Sequence, residues 1–336
     1  MTADLSTTYL GFKLRNPIVA SSSPMTDTIE SLEALQDAGV AAVVLPSVFE
    51  EQIEHEAMEM QRLAEFASGS HAEALSGYLP EFDDYATTTE AYLHHIVRAK
   101  DALDVPVIAS LNGTTRGGWT HYAARMEDSG ADALELNVYL ITTDPEATGA
   151  DVERRYLELV EAVRGDVSVP LAVKIGPYFS STPNMARRLV DAGADALVMF
   201  NRFFQPDIDL DTLQMAPRVI LSPRSAMLLP LRWIGIVRDQ VDADLAITSG
   251  VHTGDDALKA LLVGADAVMM ASALLREGAG QVTTVVGEIQ TWLDDNEYES
   301  VEQMKGSMSM GATPDTDAFV RSNYMKMLRT YTSNTH

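Results

Sequence analysis

The chain has 336 residues, 46% hydrophobic and 22% charged, with 49 Asp plus Glu against 24 Lys plus Arg and a formal net charge of −25. This is the composition of a globular chain, and it leaves no clustered cationic surface for a nucleic-acid backbone. The absence of cysteine excludes disulfides, thiolate metal sites, iron–sulfur ligation and a cysteine base within the chain. No apolar run reaches membrane-spanning length, and the N-terminal MTADLSTTYLGFKLRNP lacks the basic and apolar regions of a signal peptide, so a cytoplasmic location is expected. The acidic surface suits solubility or a salty cytoplasm and names no substrate.

In chain order, NPIVAS (16–21) reads as a first strand, and the amphipathic stretch 28–38 follows it. DAGVAAVVLP (37–46) ends that helix at a Gly and opens a second strand. Residues 47–90 then interrupt the pattern with the acidic FEEQIEHEAMEMQRLAEF and SGYLPEFDDY. VPVIASL (105–111), DSGADALELN (128–137), PLAVKIG (170–176) and DAGADALVMFN (191–201) supply strands three to six, with amphipathic segments at 117–129, 151–164 and 182–192. A second excursion, 202–225, precedes the amphipathic 226–240. ADLAITSG (243–250), the segment 254–262 and LVGADAVMMAS (262–272) complete eight strands. The tail from 297 onward reads as helical packing at the edge, with 311–336 as a C-terminal extension of a single domain spanning 1–336. The Met-rich MKGSMSM reads as packing.

Continuously apolar strands alternating with helices require a parallel sheet covered on both faces, and eight such units predict an α/β (β/α)8 TIM barrel with insertions after strands 2 and 6. The alternative doubly wound sheet lacks a GxGxxG after the first strand. Long loops after strands fall on the C-terminal, catalytic face of a barrel, so both excursions are candidates for roofing a site.

Alternation along PLAVKIG points Leu171, Val173 and Ile175 at the helices and Ala172 and Lys174 into the barrel. The same parity turns Glu135 and Asn137 inward on the fourth strand, and Met199 and Asn201 inward on the sixth. Buried asparagines often satisfy only structural hydrogen bonds. A lysine inside a barrel is different, because burying it unpaired costs several kcal/mol; it calls for an anion, a Schiff-base partner or an electron-rich ligand, with Glu135 as a salt-bridge partner lower in the barrel. Ser249, Gly250 and Ser272, after strands 7 and 8, stand where many barrels hold phosphate. His252 and Thr253 read as solvated loop residues. His55, Glu51 and Glu59 have helical spacing but read as a solvated acidic face, so no metal is expected.

The ordered series NPIVASSSP, LELN, LAVKIGPY, MFNR, ITSGVHTGDDALKALLVGADAVMMASALLREG and YESVEQMKGSMS resembles the soluble, FMN-containing dihydroorotate dehydrogenase family over roughly residues 5–310. The resemblance implies an FMN-binding barrel, often a homodimer, that oxidises a CH–CH group by sending hydride to flavin N5 and a proton to a base after strand 4. It places Lys174 at the electron-rich edge of the flavin and among the catalytic residues, and Asn137 and Asn201 at both flavin and substrate. Ser249, Gly250, Ala271 and Ser272 would match the phosphate loops. Ala20, Ser21 and Ser22 would lie on the first-strand side of the flavin, with Asn112 a further cofactor contact. The family's Cys or Ser base falls at Leu140, which cannot accept a proton; Tyr139 and Thr142 are the candidate replacements, with Thr143 and Asp144 nearby. Pro46 stands where a flavin-side lysine is expected and Leu75 where a substrate asparagine is expected. The chemistry expected is therefore CH–CH oxidation of a small molecule that need not be dihydroorotate. Authentic dihydroorotate oxidation in pyrimidine biosynthesis and a non-catalytic flavin-binding subunit are the alternatives, and the electron acceptor is a soluble oxidant or an external redox partner.

Overall fold

The computed structural model describes residues 2–56, 58, 88–117, 120–202, 206–217, 220–314, 316–320, 324, 325 and 327–329. Two short strands, β1 (Thr7–Tyr9) and β2 (Phe12–Leu14), form an antiparallel hairpin ahead of the barrel. The barrel strands are β3 (Ile18–Ala20), β4 (Ala42–Phe49), β5 (Val107–Asn112), β6 (Ala133–Asn137), β7 (Leu171–Ile175) and β8 (Ala196–Met199). After an antiparallel hairpin of β9 (Pro206–Asp209) and β10 (Gln214–Pro217), β11 (Asp244–Ile247) and β12 (Ala267–Met270) complete it. These eight parallel strands close in the order β11-β12-β3-β4-β5-β6-β7-β8, which is a (β/α)8 TIM barrel.

The helices Ile29–Asp37, His121–Asp128, Gly149–Asp166, Thr182–Asp191, Leu228–Val237 and Gly254–Val263 lie where the amphipathic periodicity predicts them. Two more are Thr88–Ala102, which packs on β4 and β5, and Gly280–Asp295, which packs on the helix Gly254–Val263. The second excursion contains the β9–β10 hairpin; of the first, residues 50–56 are helical, and Glu59 and Leu75 lie outside the described residues.

The repeated Gly-Ala-Asp phrase explains how each unit is fastened. At Gly193 and Gly264, φ values of +110° and +112° turn the chain from helix into strand, where a side chain would be strained. A Cβ there would also lie only 2.5 and 2.6 Å from Cγ of Arg164 and of Arg238. Those arginines reach across the glycines to the aspartates two residues on: Arg164 to Asp195 at 3.0 Å and Arg238 to Asp266 at 2.7 Å. The same carboxylates accept an N–H at the start of the preceding strand, from Leu171 and Leu245, each at 2.8 Å. Asp132 repeats the arrangement with Lys100 and the Val107 N–H. Each aspartate thus ties a helix, the strand that follows it and the next strand at the lower rim.

The barrel interior carries one cluster of apolar side chains and the helix layer another. Ala133, Ala172, Ala196, Ala246 and Ala267 face inward, and the ring of Tyr9 packs with them from the hairpin end, filling space that alanines leave open. Leu171, Val173 and Ile175 face the helices, as alternation requires. On β8 the expected parity is corrected: Met199 packs with the helix layer, and Ala196 and Val198 face inward. The strand ends at Met199, so Asn201 reaches the mouth from irregular chain beyond the strand, where alternation no longer applies. In MKGSMSM, Met304 is buried but Met308 is exposed, so only part of that stretch packs.

Asp266 also holds Lys305 at 2.8 Å. Asp266→Ala strips both cations and the Leu245 N–H of their acceptor and is expected to destabilise the fold by about 3–5 kcal/mol in urea denaturation. Asp244 stands nearby with its pKa pushed up to about 6 by burial and then by the charge of Asp266. Its folded pKa lies above the unfolded value, so its stabilising contribution is present below about pH 4 and lost as pH rises through 6. With allowance for solvent screening, Asp244→Asn is expected to flatten the stability profile between pH 4 and 6 and to gain on the order of 1 kcal/mol at pH 7.

Candidate active site at the barrel mouth

Register sets the level of each polar side chain. Asn112 pairs with Asn137 and Asn137 with Lys174, so three neighbouring strands carry these residues in one layer at the C-terminal end. The layer below runs Ser47, Ser110, Glu135, Ala172. Because Ala172 is small, the Lys174 side chain can bend down beside it, and Nζ donates to Glu135 Oε1 at 3.2 Å. Glu135 is fully buried and its Oε2 has no hydrogen-bond partner among the described residues; Asn137 Oδ1 is likewise buried without one among them. Asn201 donates through Nδ2 to the Val138 and Lys174 carbonyls at 3.1 and 3.2 Å, which fastens it over β7.

On the other side of the mouth, hydroxyls take over. Ser47 and Ser110 share a hydrogen bond of 2.7 Å, and Ser22 lies 3.5 Å from Ser47. The register shift in β4 between Val44 and Ser47 places Ser47, and not Pro46, in this belt. Glu50, which sequence reasoning passed over within its acidic run, is buried and accepts the N–H groups of Thr114 and Thr115 at 2.7 and 3.1 Å, holding the segment after Asn112.

A cavity of about 440 Å³ opens over this end of the barrel. It brings together Ser21, Ser22, Lys174, Asn201, Ser249, Gly250, Ala271 and Ser272 from the sequence analysis. Ala20 turns its side chain to the helix layer, and Asn112, Asn137, Tyr139 and Thr142 do not line the cavity. Tyr139 is half-buried, whereas Thr142 is exposed in the loop 138–148. Leu140 leans on the helix-side core, where its backbone is hydrogen-bonded to Tyr156, whose hydroxyl is pushed up to about 12 by burial.

The excursion 202–225 contributes what sequence reasoning missed. Ser222 donates to Ser272 Oγ at 2.8 Å and accepts the Gly250 N–H at 3.2 Å, stitching the seventh and eighth strand loops together. Its carbonyl meets His252 Nε2 at 2.8 Å, so His252 is a half-buried fastener, correcting its expected place in solvent. Arg224 adds a two-point contact to Asp256, at 2.9 and 2.8 Å. The position of this excursion after a barrel strand was its only sequence signal. No group of acidic and histidine side chains suited to a metal occurs among the described residues, and no helix among them is long and apolar enough to cross a membrane.

The family model described as dihydroorotate dehydrogenase matches residues 4–293. The chain belongs to the dihydroorotate dehydrogenase family. It is 25% identical to the dihydroorotate dehydrogenase B (NAD(+)) catalytic subunit of Thermoplasma acidophilum over 90% of this chain and 98% of that one. The corresponding catalytic subunit of a Geobacter species is also 25% identical, over 91% and 99%. The NAD-dependent dihydropyrimidine dehydrogenase subunit PreA of Escherichia coli matches at 25% over 94% of this chain and 80% of its own length. Membership makes the protein an oxidoreductase, and the non-catalytic alternative falls away.

Gly250 and Gly278 share a φ of +80°, but a Cβ on Gly250 would sit 2.5 Å from the Met227 nitrogen, while nothing lies within 4 Å of one on Gly278. At Gly278 the positive φ is joined to a ψ of −178°, a region that essentially only glycine occupies, so Gly278→Ala is expected to cost about 1–3 kcal/mol of backbone strain. Gly250→Ala is expected to cost about 1–3 kcal/mol through overpacking against the Met227 backbone, in addition to the strain of its own positive φ, read from its denaturation midpoint.

Proposed function

We propose that the protein is an FMN-dependent oxidoreductase acting on a CH–CH group of a small molecule other than dihydroorotate. The observation that carries this reading is the pairing of a cationic Lys174 at the mouth with a Leu140 that offers no proton acceptor and leans on the helix-side core. The residues present suit the cofactor. Lys174 on the cavity wall supplies a cation for an electron-rich ring, Asn137 Oδ1, level with it on the adjoining strand but behind the cavity wall, is a buried acceptor, and the Ser249 and Ser272 hydroxyls on the wall suit a phosphate. FMN, when bound, would supply the two-electron acceptor for hydride.

The chain's own residues divide the remaining work. Asn201, held by two carbonyls through its amide nitrogen, presents its oxygen as an acceptor, and with Asn137 it would orient the substrate. The Val138 N–H bonds the Lys174 carbonyl at 3.0 Å, so the loop after β6 leaves the barrel from a pinned point. Tyr139 is one residue beyond that pin and Thr142 four, and one of these hydroxyls would take the substrate proton in place of the family's Cys or Ser. The relatives named as catalytic subunits favour an external redox partner, and a homodimer is the proposed assembly. A cytoplasmic location is part of the same proposal.

Anaerobic mixing of the FMN-loaded protein with L-dihydroorotate tests the reading: the flavin is expected to stay oxidised and to bleach with another saturated CH–CH donor. Rapid bleaching by dihydroorotate would instead establish the family's name reaction with a displaced base, and a protein that cannot be loaded with FMN would end the proposal. Tyr139→Phe or Thr142→Val is expected to slow flavin reduction by about 10²–10⁴-fold, the worth of a positioned proton acceptor, in rapid-mixing kinetics with the active substrate. Unchanged rates in both would reject this loop as the base's location.

A further inference from the structure

Lys174 does not stand alone at the mouth. Its Nζ lies 3.2 Å from Oε1 of Glu135, a carboxylate with no exposed surface, while the lysine side chain keeps only 10% of its own. Ser110 and Ala172 flank Glu135 on the two adjoining strands, and neither brings a charge. Ser110 spends its hydroxyl on Ser47, and Glu135 Oε2 is left without a partner, so among the described residues the lysine is the one side chain that answers this buried charge. Tyr9, sealed in the barrel below, has its hydroxyl raised well above its ordinary pKa by burial and then by the charge of Glu135, so it stays neutral and adds no second anion beside Glu135.

From this arrangement we infer that Glu135 is a positioning residue that sets the reduction potential of the flavin at the mouth by dividing the charge of Lys174. The inference rests on the reading of the site as an FMN site. In a low-dielectric interior, a carboxylate in contact with an ammonium both fixes its place and offsets its field. Two-electron reduction adds negative charge to a ring beside Lys174, and the ammonium must then serve two anions. Glu135 therefore disfavours the reduced form and holds the potential below that of a barrel with an uncompensated lysine. The lysine, in return, is held in place between turnovers.

Redox titration of the FMN-loaded protein tests this. Glu135→Gln keeps the side chain's shape and a carbonyl acceptor for Lys174. It is expected to raise the reduced-to-oxidised ratio at a fixed poise about tenfold, which for a two-electron couple is a positive shift of about 30 mV. Lys174→Met is expected to move the midpoint the opposite way. Where Glu135→Gln does not accumulate as folded protein, Glu135→Asp, which keeps the charge but draws it back from the ammonium, is expected to move the midpoint upward by less. A flavin-loaded Glu135 variant whose midpoint stays put or falls overturns the inference while leaving the functional reading intact. A wild-type protein that takes up no FMN overturns both.

Discussion

The barrel depends on three carboxylates at its lower rim. Asp132, Asp195 and Asp266 each hold a cation from the end of the helix that leads into the preceding strand, and an N–H at the start of that strand. A parallel barrel must hold strand ends that come from distant parts of the chain, and a short carboxylate placed just ahead of a strand ties two of them to a helix at once. The glycine two residues earlier is required twice over at Asp195 and Asp266, for its positive φ and for the room it leaves the arginine stem. The unit built on Gly39 departs from this: it has Ala41 where the others have aspartate, and Arg15 donates directly to the Val40 carbonyl.

With the lower rim fastened, the interior can afford small side chains. Alanines on five strands leave a volume that the Tyr9 ring enters from below, and the next layers up turn polar. There the small Ala172 allows Lys174 to fold down onto Glu135 in place of extending to solvent. The placement of the charge at the mouth is thus a consequence of packing in the layer directly beneath it. Burial of the pair in low dielectric makes each partner depend on the other, and the orphaned Oε2 of Glu135 leaves that dependence unrelieved by any second donor.

Much of this was legible before any coordinates. Eight apolar runs alternating with amphipathic segments and a repeated Gly-Ala-Asp phrase announce the barrel, and strict alternation places Lys174, Asn137 and Glu135 inside it. Alternation failed where its premise failed: β8 stops at Met199, so Asn201 arrives by irregular chain and Met199 turns outward. Ser47 enters the hydroxyl belt because a register shift in β4 displaces the parity that Pro46 would follow. Ser222 carried no local signal, since its role comes from an excursion folding back across two loops some 28 and 50 residues away in sequence.

By itself, the sequence determined the fold, the family to which it belongs and the inward lysine, because periodicity and glycine placement are local properties that the backbone must obey. It also determined that Leu140 can accept no proton, since a side chain's chemistry does not depend on its surroundings. The tertiary structure decided what answers the charge of Lys174, which loop carries the hydroxyl that joins Gly250 to Ser272, and that Leu140 packs toward Tyr156 and the helix layer. Those outcomes turn on which atoms meet across strands and loops remote in sequence, and on the space an alanine leaves beside a glutamate.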